Sequence, residues 1–132
     1  MKIERSPARR ERPIVMVVAK AKQLKMKSKL WLELQGRPIM GEGRMAMLQA
    51  IDDHRSILQA SRETGIAYRR IRGAIHDMET ALGQTLVLTR RGGREGGYAE
   101  LTPAAMALLD AFKALSKGFQ NASDIRFKNI FR

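Results

Sequence analysis

The chain contains no cysteine. Disulfides, thiol catalysis and cysteine-ligated zinc or iron–sulfur centres are thereby excluded. Histidine is scarce as well. His54 and His76 are the only two, they lie far apart in sequence, and each reads as a polar surface residue and not as a metal ligand. Long apolar runs are missing. The longest near the start, Ile14 to Ala19, is far shorter than a membrane-crossing helix and leads straight into Lys20 and Lys22. Neither a membrane span nor a secretory leader is read there, and a cytoplasmic, nucleoid-associated protein is expected. Acidic residues are also few, 13 against 25 lysines and arginines, for a formal net charge of +12. Such an excess points to a polyanionic partner.

What is present starts with an arm. Residues Met1 to Lys29 hold ten of the basic residues and two of the acidic ones. The first dozen, with Pro7 and Pro13, read as disordered when free. Ile14 to Met26 fits a helix or a β-rich segment equally. The arm, residues 1–28, reads as an electrostatic grip on a nucleic-acid backbone or as a solubilising tail. Lys29 to Gln35 alternates Leu30, Leu32 and Leu34 with Trp31 and Glu33, the period of a strand, and Gly36 and Pro38 end it. Trp31 stands on the strand's second face and needs cover.

The stretch from Gly43 to Leu101 organises the chain. After a turn at Gly41 to Gly43, the pattern predicts a first helix over about Arg44 to Asp53. Met45, Met47, Leu48 and Ile51 are available to its core face. A second helix follows over about Ser56 to Glu63, with Ser56 as N-cap and Gly65 as its stop. The link Gly65 to Ala67 is a tight turn. In the third helix Ile71, Ile75, Met78 and Leu82 fall within about 40° of one another on a helical wheel, a buried stripe. Arg69, Gly73 and His76 point the opposite way, and Arg70 and Arg72 flank them. Ala67 cannot cap this helix, at a cost of about 1 kcal/mol. Gly83 stops it.

Leu86 to Thr89 and Tyr98 to Leu101 then read as a β-hairpin with the tip RRGGREGGY. That tip can lay backbone and guanidinium groups, Arg91 and Arg94 among them, against phosphates or into a minor groove. It leads into a strand and not a helix, which argues against a nucleotide-binding loop. Thr102-Pro103 is a helix start. Leu108, Leu109, Phe112, Leu115 and Phe119 give the last helix an apolar stripe wider than so small a domain needs, so part of it is expected to face a second subunit. From Asn121 to Arg132 a strand and an amphipathic tail are both open. No catalytic constellation is read. The carboxylates of Asp52-Asp53 point about 100° apart on a helix, and no cofactor or metal is expected.

Helix-turn-helix followed by a hairpin is the pattern of a winged helix-turn-helix domain, mainly α with a small β wing. The series GEGRMAMLQAID…SILQAS…GIAYRRIRGAIHDMETALGQTLVLTRRGGREGGYAELTP resembles the N-terminal winged-helix domain of ModE-type molybdate-responsive transcriptional regulators, cousins of the LysR-type helix-turn-helix group. The match runs from about Lys29 to Lys117. It divides the chain into a basic arm (1–28), the winged domain (29–117) and a tail (118–132). The resemblance implies sequence-specific binding of double-stranded DNA by a homodimer, helix three in the major groove and the wing on the backbone. The residues expected at that interface are Ser56, Tyr68, Arg69, Arg70, Arg72, His76, Arg91 and Arg94. The second reading is a general architectural or RNA-binding protein without sequence preference. Three departures from the family pattern stand out: His54-Arg55 where Thr-Gly is usual, Ala67 where Ser is usual, and Arg72 where a large aromatic is common. The family's molybdate-binding module has no counterpart in the residues after Lys117, so molybdate binding is not expected of this stretch.

Overall fold

The computed structural model describes residue Lys20 and residues 23–91 and 97–131. They divide into two compact units, one of residues 29–116 and one that joins residues 117–131 to the described part of 1–28. In order, the elements are β1 (Leu32–Leu34), β2 (Arg37–Met40), α1 (Glu42–His54), α2 (Ile57–Thr64), α3 (Tyr68–Leu82), β3 (Val87–Arg90), β4 (Tyr98–Leu101) and α4 (Pro103–Phe131). The architecture is the expected one: helices in a helix-turn-helix order, then an antiparallel wing of β3 and β4.

The first difference from expectation comes at the N-terminal side. Gly36 and Pro38 do not end a lone strand. Gln35 and Gly36, both at positive φ, turn the chain back, and Arg37–Met40 pairs antiparallel with β1. Proline has no N–H to give a ladder and is tolerated on an edge strand or beside a bulge. Both conditions hold, since the sheet has two strands and its register shifts between Leu32 and Glu33, next to the Glu33–Pro38 pair. The strand delivers Ile39 and Met40 to the core. Helix α1 begins at Glu42, inside what reads as a Gly41–Gly43 turn.

The core of this unit joins every element. Met47, Leu48 and Ile51 from α1 meet Ile71, Ile75 and Met78 from α3, Leu86 and Leu101 at the wing's base, and Leu109 and Phe112 from α4. Full burial of an aliphatic or aromatic side chain stabilises by about 1.5–3 kcal/mol. The α2–α3 crossing is close because Ala60, fully buried on α2, has no bulk to hold the helices apart. Gly65 closes α2 at φ 75°, the left-handed conformation that costs glycine least. The Ser61 hydroxyl donates to the Ile66 carbonyl at 2.6 Å, and the Ile66 N–H donates to Thr64 Oγ1 at 3.2 Å. These bonds fix the turn, and hence the direction in which α3 leaves it.

At the far end, residues 121–131 are helical, a continuation of α4 through Phe131. The segment is thus helix and not strand. Phe127 and Phe131 stack with centroids 4.8 Å apart, one helical turn along the same face.

Candidate nucleic-acid interface

The geometry follows from the two faces of α3. Ile71, Ala74, Ile75 and Met78 are buried, whereas Tyr68, Arg69, Arg70, Arg72, Gly73, His76 and Asp77 are exposed. With the core on one side, Arg69, Gly73 and His76 fall on the outward side at helical spacing. Arg70 takes one flank and Tyr68 with Arg72 takes the other. Thr80, also exposed, continues the outward row, and its side chain carries no charge that would single it out in sequence. Among the described residues no hydrogen bond or ion pair engages the guanidinium of Arg69, Arg70 or Arg91. Ala67 stands at the N-cap without a side-chain bond, as its chemistry dictates.

The flank bearing Tyr68 and Arg72 faces the wing across a groove of about 690 Å³, lined also by Leu58, Arg90, Arg91 and Tyr98. Among the described residues, its charged lining residues are all arginines. Arg72 Nη1 donates to the Tyr68 hydroxyl at 3.3 Å, which draws one arginine along the helix and limits its rotamers. Farther along the same flank, His76 lines a smaller recess with Arg72, Glu79, Val87 and Thr89. The opposite flank, with Arg70, Gly73 and Asp77, borders a second groove against Trp31, Pro38 and Arg44.

The base of the wing is pinned at several points. Glu79 Oε2 accepts from the N–H groups of Leu86 and Val87 at 2.8 and 3.2 Å, a carboxylate from α3 that satisfies two donors at the entry to β3. On the exit side, the Thr102 hydroxyl donates to the Thr85 carbonyl at 2.8 Å. It also accepts from the Ala105 N–H at 3.2 Å, which caps α4. The wing register is Val87↔Leu101 through Arg90↔Tyr98.

Ser56 differs from the other expected contacts. It is 7 % exposed, and its Oγ accepts from the Gln59 N–H at 3.1 Å, so its hydroxyl starts α2. Arg94 lies outside the described residues. Sequence reasoning did not single out Arg90, although it belongs to the same basic tip. Its guanidinium sits 4.9 Å from the centroid of the Tyr98 ring. Nor did it give a contact to Arg55, whose Nη1 donates to the Tyr98 hydroxyl at 3.1 Å. That hydrogen bond is the main cause that holds the Arg55 pKa above its ordinary value.

Comparison with known proteins agrees with this geometry. Residues 43–106 match the family of bacterial regulatory helix-turn-helix proteins, lysR family. The chain is 36% identical over 93 residues to the molybdenum-pterin-binding protein MopA of Rhodobacter capsulatus, a match over 70% of this chain and 35% of that protein. It is 36% identical over 95 residues to the transcriptional regulator ModE of Yersinia pestis, over 72% and 36% of the two chains. The chain thus spans about a third of the length of these relatives. Among solved structures, the DNA-binding domain of CbnR, crystallised with DNA, superposes with a TM-score of 0.50 at 23% identity, over 66% of this chain and 95% of that one. That likeness establishes the fold. The chain therefore carries a helix-turn-helix domain of the lysR family of bacterial regulatory proteins, in winged form, and the ModE and Mop proteins are among its homologues.

Proposed function

We propose that this chain is a DNA-binding transcription regulator that reads duplex DNA as a dimer. The outward side of α3 enters the major groove, and the wing lies on the adjacent backbone. The observation that carries the reading is the free guanidinium groups of Arg69 and Arg70 on the open sides of a helix whose other side is core. A groove whose charged lining, among the described residues, is arginine runs beside them. Arginine forks match the acceptor pair on a guanine edge, and a residue without a side chain, Gly73, lets the backbone come close. Arg69, Arg70 and His76 face the bases in this proposal, with Tyr68, Arg72 and Arg91 on the sugar–phosphate strand beside the wing. Ser56 contributes by setting the start of α2. Arg94 joins the wing contacts on its sequence position alone.

The dimer half of the proposal rests on apolar surface. Leu115 and Phe119, four residues apart on one face of α4, are 48% and 42% exposed. Two copies about a two-fold axis would present two α3 helices to half-sites about one helical turn apart. Selection of bound duplexes from a random pool, followed by sedimentation of the chain alone and on the selected site, tests both halves. Palindromic sites bound by a species of twice the chain mass are expected. A monomer on a single half-site would remove the dimer, and no enrichment of any sequence would favour the general architectural reading.

A further inference from the structure

Arg55 occupies a position that a side chain fills at a cost. It is the C-cap of α1, at φ 55° and ψ 34°, in the left-handed region where glycine is at ease. Beyond the cap's own N–H, the same residue makes three hydrogen bonds, two of them to the wing. Its carbonyl accepts the Ala99 N–H at 2.9 Å, which joins the α1 cap to β4. Its Nε donates to the Asp52 carbonyl at 3.1 Å, which fixes the direction of the guanidinium. Its Nη1 then donates to the Tyr98 hydroxyl at 3.1 Å. Tyr98 in turn carries Arg90 against its ring at 4.9 Å, and both line the arginine groove beside α3. The result is a ladder of three side chains, guanidinium, phenol, guanidinium, that runs from the end of α1 to the groove.

We propose that Arg55 is a positioning residue for the wing: it latches Tyr98, and through Tyr98 it holds β4 and the Arg90 guanidinium at a preset distance from α3. A freely swinging two-stranded ribbon would lose conformational entropy on meeting a nucleic acid, and a latched one loses less. Backbone bonding alone would join β4 to the α1 cap with any residue at position 55. The fork of an arginine reaches two acceptors at once, one on its own helix and one on the wing, and lysine cannot reproduce that geometry. The proposal rests on the reading of the wing as a DNA contact, but the latch itself can be observed without DNA.

Three variants separate the latch from its alternatives. R55K keeps the charge and loses the fork. Y98F keeps the ring under Arg90 and loses the hydroxyl. R55G removes the side chain and relieves the left-handed cap. In the free proteins, amide hydrogen exchange at Ala99 and along β4 is expected to accelerate in all three by about three- to tenfold, the loss of one hydrogen bond. R55G is expected to melt at the same temperature as the parent or higher, because glycine suits that cap. On duplex DNA, R55K and Y98F are expected to bind about three- to tenfold more weakly with an unchanged slope of log K against log salt. The double variant R55K/Y98F should be no weaker than either single one. Unchanged exchange in R55K and Y98F would overturn the latch whatever DNA does. A slope lowered by about 0.9 in R55G but not in R55K would make Arg55 a direct phosphate contact instead. Failure of the parent chain to bind any duplex would remove the proposed function and leave the exchange result to decide the latch.

Discussion

The hairpin β1–β2 and the wing β3–β4 border opposite flanks of α3, and their arginines face different things. On the β1–β2 side, Arg44 is engaged by the fold. Its Nη1 donates to the carbonyls of Pro38 and Ile39 at 3.3 and 3.0 Å, and its Nη2 lies 3.7 Å from Asp77 on α3. That arginine links β2 and α1 to α3 and is three-quarters covered. On the wing side, Arg90 lies 3.9 Å from Glu100, whereas Arg72 and Arg91 are exposed and border a groove whose lining, among the described residues, holds no carboxylate. Arg70 borders the same groove as Arg44 but has no such partner among the described residues, so what divides the arginines is engagement and not the flank alone. Guanidinium groups with carbonyl and carboxylate partners hold the domain together, and those without such partners remain available to a polyanion. The net charge of the chain cannot make that distinction. Only the partners do.

The widest separation of the two flanks is expected from paired substitutions. Arg72→Ala with Arg91→Ala should weaken binding to any duplex by about tenfold or more at physiological salt. It should also lower the slope of log K against log salt by about 0.9 for each phosphate that is no longer neutralised. Its melting temperature should stay near the parent's, since exposed charges contribute little to stability. A titration across salt checks the first expectation and thermal unfolding the second. Arg44→Ala should do the reverse. It leaves the β2 carbonyls of Pro38 and Ile39 without that donor, which should cost about 1–3 kcal/mol by denaturant unfolding. The salt slope should be unchanged. If Arg44→Ala moved the slope as much as the wing pair does, the distinction between the flanks would fail.

Much of this arrangement was legible in the sequence, because α3 obeys a single rule along its length. The spacing of Ile71, Ile75 and Met78 fixed which side is core, and the arginines took what remained. Gly65 and Gly83 marked helix ends correctly, since both adopt the left-handed conformation that glycine favours. Where local signals conflicted with tertiary pairing, they misled. Pro38 and Gly36 look like terminators, but β2 exists because Ile39 and Met40 have a core to enter and the sheet has only edges. The continuation of α4 to Phe131 could not be told from an amphipathic tail by periodicity, since Ile125, Phe127, Ile130 and Phe131 satisfy more than one spacing. Arg55 stood out only as a departure from the family's Thr-Gly, and its tie to the wing was illegible for another reason. It holds a left-handed cap that glycine or asparagine usually signals, and its contact to Tyr98 spans 43 residues of sequence. The phosphate-facing role of the expected residues is a chemical inference from exposure and charge, and the burial of Ser56 shows how exposure sorts such a set.

The central claim is that the outward side of α3 reads sequence and does not merely attract DNA. Arg69→Ala tests it directly, with binding measured on a selected duplex and on random duplex at one salt concentration. The account predicts a loss of about 1–3 kcal/mol on the selected site and a smaller loss on random DNA, because a guanidinium that pairs with a base edge contributes only where that base is present. Equal losses on the two duplexes would make Arg69 a phosphate contact and contradict the claim.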